Sequence, residues 1–402
     1  MASVNTGALH GVKVVDLSRV LAGPLCTQML ADQGAEVIKI EPPSGDETRV
    51  LGPPFDASGD AAYYLALNRG KRSISLDLSR PEAQEVLHRM LADADVLVEN
   101  FLPGTMERWG IGYEQTLAAR YPNLIYCSVT GFGADGPLGG LPGYDAVLQA
   151  MCGLMSINGD EASGATKVGI PIVDHMTGYV ALTGILMALY ARTKTGRGQR
   201  VEAALYDTAL SLLVPHAANY FASKSQPRLL GSAHPNIAPY DKFKAKDGYL
   251  FLGIVNDTQF RRFCTSVGLE SLLQDERFTS NRRRVINREQ LKIEIERVIA
   301  GESCSSLCER LMRAGVPAGA VNSVPDALAH PHCQHRDMVV SMDEYRGLRS
   351  PMRLMGSSSN VGGRPPRFAQ HTEDVLRELG YSKEEAALLR ESGVAPAPRQ
   401  HS

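Results

Sequence analysis

The chain has 402 residues, with 42 Lys+Arg against 44 Asp+Glu and a formal net charge of −2. A 44% hydrophobic and 21% charged composition is that of a globular protein with a sizeable core, and it excludes a disordered or fibrous class. The near-neutral balance argues against nucleic acid or an anionic membrane as the main partner, while leaving room for a local basic pocket. Strand and helix signals then alternate through the first half of the chain. The spacing predicts strands at 11–16, 36–41, 72–77, 96–100 and 124–129. Helices fall between them at 24–32, from 81 to about 93 and near 105–108. Pro81 opens the second of these, where a missing N–H costs least. This rhythm predicts an α/β fold with a parallel sheet covered on both faces.

Helical signals follow at 144–154 and from 174 or 175 to 191, and Gly196 and Gly198 end the second. Residues 200–205 read as a strand or the start of the next helix. The polar segment 223–239, with three prolines and a glycine, reads as a linker or long loop. A strand at 249–255 and helices at 258–267, 288–299 and 305–314 suggest a second, smaller α/β unit. Segments 373–379 and 383–389 suggest a helical tail, and 394–402 a frayed end. The expected organisation is a large domain over 1–222, a small one over 223–325 and a C-terminal segment over 326–402. The longest apolar run, 179–191, reads as too short to span a bilayer. Residues 1–10 show neither the basic start nor the apolar core of a signal peptide. Seven scattered cysteines read as reduced thiols rather than a disulfide framework, so a cytoplasmic chain is expected.

Gly131-Phe-Gly-Ala-Asp-Gly136 matches a dinucleotide fingerprint after a strand, but Pro137, Gly139, Gly140 and Pro142 leave no helix N-terminus to meet a pyrophosphate. His330, His332, Cys333 and His335 lack a second ligand pair at a defined spacing, so no metal is expected, and Cys304 and Cys308 read as packed sulfurs on a helix. Asp174 stands between an apolar run and an apolar helix. Composition reads it first as a helix N-cap. Held dry at a helix start, however, it is also a carboxylate able to attack an activated acyl group. Asp145 opens the preceding helix, again as a cap or as a second acid. Arg19, Arg49, Lys71, Arg72 and Arg108 fall at strand ends or βα loops, where ligands gather in doubly wound sheets; the alternative is ordinary solvated surface.

In order along the chain, these segments resemble the class III CoA-transferases, the CaiB/BaiF family. The resemblance runs through Val15-Asp-Leu-Ser-Arg-Val-Leu-Ala-Gly-Pro24, Gly34-Ala-Glu-Val-Ile-Lys-Ile-Glu41, Asn68-Arg-Gly-Lys-Arg-Ser73 and Val98-Glu-Asn-Phe-Leu-Pro-Gly104. It continues through Thr130-Gly-Phe-Gly133, Pro142-Gly-Tyr-Asp145, Thr195-Gly-Arg-Gly-Gln199 and His371-Thr-Glu-Asp-Val375. It implies a Rossmann-like large domain, a smaller domain, a C-terminal segment returning to the large one, and an interlocked homodimer. It implies coenzyme A as substrate, without a prosthetic group. Asp174 takes the position of the nucleophile that forms a mixed anhydride and then an aspartyl-CoA thioester. Leu21, Ala22, Leu76, Asn100, Phe101 and Arg108 match the family's CoA-contacting positions, and Asp145 an acidic position that orders the active site. Leu21 stands where formyl-CoA transferases carry glutamine, which argues against formyl or oxalyl chemistry. Pro42 replaces a basic residue of those enzymes. Tyr144 replaces the histidine of the related 2-methylacyl-CoA racemases, and a phenol is not the acid–base group near neutrality that an imidazole is. A non-catalytic CoA-binding homologue is the third reading. Residues 231–243, with His234, resemble a loop of succinyl-CoA-dependent dicarboxylate transferases; the same segment also reads as an interdomain connection.

Overall fold

Six short runs rich in Val, Ile and Ser carry the central sheet in a computed structural model that describes residues 7–358 and 362–396. They are β1 (Lys13–Asp16), β2 (Glu36–Glu41), β3 (Arg72–Ser75), β4 (Val96–Glu99), β5 (Ile125–Thr130) and β6 (Arg200–Ala204). All pair in parallel in the order β3-β2-β1-β4-β5-β6, with Val14 opposite both Val37 and Val96. Every residue of β4 and β5 is buried, as a strand covered on both faces requires. The order reverses between β1 and β4, so the crevice beyond their carboxyl ends is where a ligand belongs. Residues 200–205 divide between the readings: β6 ends at Ala204, and a helix begins at Leu205.

The covering helices include α1 (Ala22–Asp32), α2 (Pro81–Leu91), α3 (Asp145–Met151) and α4 (Ile172–Thr195). On α2, Ala83, Val86, Leu87, Met90 and Leu91 recur at helical spacing and are all buried. The apolar run 179–191 lies inside α4, a 24-residue helix whose most apolar 18-residue stretch has a mean hydropathy of 1.4, long and apolar enough to cross a membrane by length and composition. The helix outruns the expected 179–191 run because it starts at Ile172, where Ile172 and Val173 add apolar character, whereas Arg192 and Lys194 add only charged length at its end. One face of α4, with Val173, Thr177, Gly178, Ala181, Leu182, Ile185 and Ala188, is buried, and the helix packs on α1, β5 and β6. That is the pattern of a core helix.

Beyond α4 the chain builds a three-stranded antiparallel sheet in the order β9-β8-β7, from β7 (Tyr240–Lys244), β8 (Tyr249–Gly253) and β9 (Ala318–Ala320). Helices α5 (Asp257–Val267), α6 (Arg288–Ile299) and α7 (Cys304–Arg313) pack over it. Phe243, Leu250, Leu252, Phe263, Ile295, Leu307 and Leu311 form its core, and Cys304 and Cys308 are buried there too. The fully buried Arg284 ties this unit together, donating to Asp257 Oδ1 at 2.6 Å and to the carbonyls of Ala238 and Phe278.

The chain divides into two compact units. One holds the residues up to Cys152, Gly169–Leu212 and those from His332 onward; the other holds Gly153–Val168 and Leu213–Pro331. In the first unit a hairpin of β10 (Val339–Met342) and β11 (Tyr345–Leu348) precedes α8 (Thr372–Glu378) and α9 (Lys383–Glu391). Arg72 makes a bidentate pair with Glu378 at 2.7 and 2.8 Å, and Val375, Leu376, Val394 and Ala395 join the core of Leu76, Leu87, Leu97 and Tyr126. The expected fraying from 394 is thus corrected for Val394 and Ala395, which are buried, with Asp77 N donating to the Val394 carbonyl at 2.9 Å. Residues 397–402 lie outside the described residues.

Candidate active site

Asp16, at the carboxyl end of β1, is fully buried and accepts from Ser18 N (3.0 Å), Thr27 Oγ1 (2.6 Å) and Lys71 Nζ (3.0 Å). Lys39 on β2, also buried, pairs with Asp46 at 2.9 Å and donates to the Ser18 carbonyl at 2.7 Å. Burial pushes the Lys71 ammonium down to about 8, while Lys39 holds Asp46 at about 2 against the upward push of burial. These charges fix the β1–α1 loop. Two of the basic residues expected near a ligand are consumed in this way: Lys71 by Asp16, and Arg49 by Glu41 (2.7 Å) and Asp60 (2.9 Å).

On that loop Val20 has φ +69°, a left-handed conformation a β-branched residue seldom adopts. Asn100, just after β4, holds it. Its Oδ1 accepts from Arg19 N at 2.8 Å, and its Nδ2 donates to the Arg19 carbonyl at 2.7 Å. The β1 and β4 ends are thereby stitched together at the point where the strand order reverses.

A cavity of about 260 Å³ opens there, lined by Arg19, Leu21, Ala22, Asn100, Phe101, Gly131, Gly143, Tyr144 and Asp174 among others. Gly131 and Gly143 approach so closely that a Cβ on either would meet the other's backbone at under 3 Å. The glycine-rich stretch therefore serves as a wall of this cavity, and no helix opens at Gly136.

Asp174 does not cap α4. The helix begins at Ile172 with Pro171 before it, which places Asp174 in the first turn. The capping is done by Asp145 of α3, whose Oδ2 accepts from Val173 N (2.7 Å) and Asp174 N (3.2 Å) while Oδ1 accepts from Gln149 Nε2 (2.6 Å). Asp145 thus satisfies orphan N–H groups of a different helix from its own. Burial, and then the neighbouring Asp145, push the half-buried Asp174 carboxyl up to about 7. A carboxylate so placed is poorly hydrated, oriented, and ionised only at neutral pH and above.

Four of the six expected CoA-contacting residues, Leu21, Ala22, Asn100 and Phe101, line this cavity with Asp174. Leu76 is buried in the core behind β3, and Arg108 is exposed with Nη2 on Thr105 Oγ1 at 2.8 Å; neither lines it. His234 belongs to the second unit, where its Nδ1 accepts from Asn236 N at 3.1 Å and Arg288 holds its carbonyl at 3.0 Å. His175 points elsewhere, into a larger cavity of about 740 Å³ with Leu25, Gln28 and Tyr179. Sequence reasoning missed Tyr63, whose phenol is raised to about 12 by burial and by the charges of Asp174 and Asp145. Nothing in its local pattern distinguishes it from the adjacent Tyr64, a core residue. Among the described residues no group of three or more His, Cys, Asp or Glu side chains is arranged to hold a metal ion.

The sequence matches the profile of CoA-transferase family III over residues 9–372. The chain belongs to this family. It is 40% identical over 386 residues to a succinate–glutarate CoA-transferase of Agrobacterium fabrum, covering 92% of this chain and 95% of that one. It is 36% identical over 405 residues to the human succinyl-CoA:glutarate CoA-transferase, covering 99% and 92%. Among solved structures, a CaiB/BaiF family protein of Brucella suis superposes with a TM-score of 0.84 at 41% identity, over 93% of this chain and all of that one. The chain is therefore a class III CoA-transferase, and its substrates are CoA thioesters.

Proposed function

We propose that the chain transfers CoA from succinyl-CoA to a second dicarboxylate, such as glutarate, with Asp174 as the nucleophile. The reading rests on one observation: Asp174 is held on the first turn of α4 by Asp145, in a cavity at the strand-order reversal shared with Leu21, Ala22, Asn100 and Phe101. An Asp174 oxygen attacks the thioester carbon, the C–S bond breaks and CoA leaves as thiolate, giving a mixed anhydride. The thiolate then attacks the aspartyl carbonyl, releasing succinate and leaving an aspartyl-CoA thioester. The acceptor carboxylate repeats the sequence in reverse, departs as its own CoA ester and restores Asp174. One thioester is broken and one made, so the protein's task is to lower barriers. A carboxylate is a weak nucleophile, and binding energy from the distant CoA nucleotide holds the reacting carbons together. Asp145 supports this by fixing the Asp174 backbone. The working unit in this reading is an interlocked homodimer in the cytoplasm, using no prosthetic group.

The test is acyl exchange followed by mass spectrometry, with succinyl-CoA, a panel of carboxylic acids and an Asp174→Ala control. A new CoA ester that disappears in the control is expected. No ester from any acid, together with deuterium uptake at the α-carbon of a 2-methylacyl-CoA in heavy water, would replace the transferase reading by a racemase.

A further inference from the structure

Of the five basic residues that the sequence places near strand ends, four are accounted for elsewhere. Arg49 and Lys71 are neutralised in the buried network, Arg72 is bidentate to Glu378, and Arg108 lies on Thr105 outside the cavity. Arg19 remains, and it lines the same cavity as Asp174. Its backbone is held on both sides by the Asn100 amide, and the residue after it is held at positive φ. Such strain persists only where surrounding structure over-determines it, and it gathers at ligand clamps. The side chain is aimed with equal care. Its guanidinium carbon lies 5.5 Å from the Phe101 ring centroid. Its Nη1 meets Glu47 Oε1 at a long 3.2 Å, with that carboxylate more than half exposed. Its Nε is buried without a hydrogen-bond partner. A pre-set, incompletely paired guanidinium is the group that takes a carboxylate or phosphate oxygen.

We infer that Arg19 is a specificity-determining residue that takes an anionic oxygen of the acyl-CoA, and that this oxygen belongs to the distal carboxylate of a dicarboxylate acyl group. The inference rests on the reading of Asp174 as the acyl-accepting residue. The cavity joins Arg19 directly to Asp174. The CoA diphosphate, by contrast, is separated from the thioester by the whole pantetheine arm, far more than the length of a succinyl chain. A neutral acyl group would leave this cation facing an apolar chain, at a desolvation cost that selects against monocarboxylates.

The experiment measures equilibrium binding of succinyl-CoA, butyryl-CoA and free CoA to Asp174→Ala protein, which does not react in this reading, with and without Arg19→Gln. Arg19→Gln is expected to weaken succinyl-CoA about tenfold or more, as loss of a charge-assisted bidentate contact does, while butyryl-CoA and CoA stay within about twofold. Arg19→Lys, which keeps the charge, is expected to recover part of the loss, and unchanged CoA binding shows that the pocket is intact. Equal weakening of all three ligands would overturn the carboxylate assignment and move Arg19 to the CoA phosphates. No change in any of them would overturn the role altogether. Acyl exchange surviving in Asp174→Ala would instead sink the underlying reading of Asp174, whatever Arg19 does.

Discussion

The Asp174 carboxyl, raised to about 7 by burial and then by Asp145, makes opposite demands on stability and on chemistry. Between pH about 4 and 7 the folded chain holds a proton there that the unfolded chain has lost. This contribution to stability is complete below pH 4 and is lost as pH rises towards 7. Asp174→Asn is therefore expected to melt higher than the parent at pH 8, with the difference closing at pH 4, measured by thermal unfolding. Nucleophilic attack needs the ionised form, so kcat/KM for succinyl-CoA is expected to rise through an acid limb near pH 7. Asp145→Asn removes the smaller of the two causes, so the limb moves only part of the way towards pH 4. An acid limb already near 4 in the parent would show that Asp174 is ionised throughout and that its burial does not govern the rate. Composition found Asp174 and Asp145 but misread how they work together, because the hydrogen bond from Asp174 N to Asp145 spans 29 positions and joins two helices. A cap read from sequence is always local; this one is not.

Between elements, the placement of Asp174 depends on how closely α4 lies against α1. Gly178, one turn beyond Asp174, sits where an added Cβ would meet the Ala22 carbonyl oxygen at 2.9 Å and the Leu25 side chain at 3.3 Å. Backbone cannot yield as a flexible side chain does, so Gly178→Ala must push the two helices apart. The helix propensity gained by alanine, up to about 1 kcal/mol, works against this, but overpacking costs about 1–3 kcal/mol. The net expectation is a Tm lowered by a few degrees and kcat lowered about tenfold or more, since Ala22 on α1 and Asp174 on α4 both line one cavity. Thermal melting and steady-state kinetics on the same preparation check it. An unchanged kcat would mean that the site tolerates helix displacement. The alternating βαβα pattern made β1 to β5 and α2 legible, because β4 and β5 are unbroken buried runs, β1 to β3 are mostly buried, and α2 shows clean helical spacing. β7 was hidden because Tyr-Asp-Lys-Phe-Lys places only Phe243 fully in the core, so its pattern reads as loop. β10 and β11 were hidden in the same way, each with one buried residue.

At the scale of the whole molecule, the two compact units interleave in sequence: the second is inserted at 153–168 and 213–331. Polar linker composition marked the region near 223, but no compositional signal marks the crossing at Cys152, where the chain leaves the first unit after α3 and re-enters it before α4. The C-terminal segment belongs to the first unit through Arg72–Glu378 and the burial of Val394, contacts between residues some 300 positions apart that no local pattern encodes. The interlocked homodimer of the proposed function makes a distinct physical demand. Chains that pass through one another cannot separate as folded bodies, so dissociation requires at least one unit to open and proceeds at the rate of unfolding. A simple dimer of two 43.5 kDa chains, by contrast, exchanges subunits on dilution. Mixing tagged and untagged dimers under native conditions is expected to yield no hybrid over hours, while joint unfolding and refolding yields the statistical half, read by native mass spectrometry. The exposed Val180, Met187 and Tyr190 on α4, with Val147 and Met151 on α3, are apolar surface that a second chain would cover. Met187→Glu is accordingly expected to lower the yield of refolded dimer rather than to speed hybrid formation. Rapid hybrid formation by the parent protein would mean that the two chains only lie side by side.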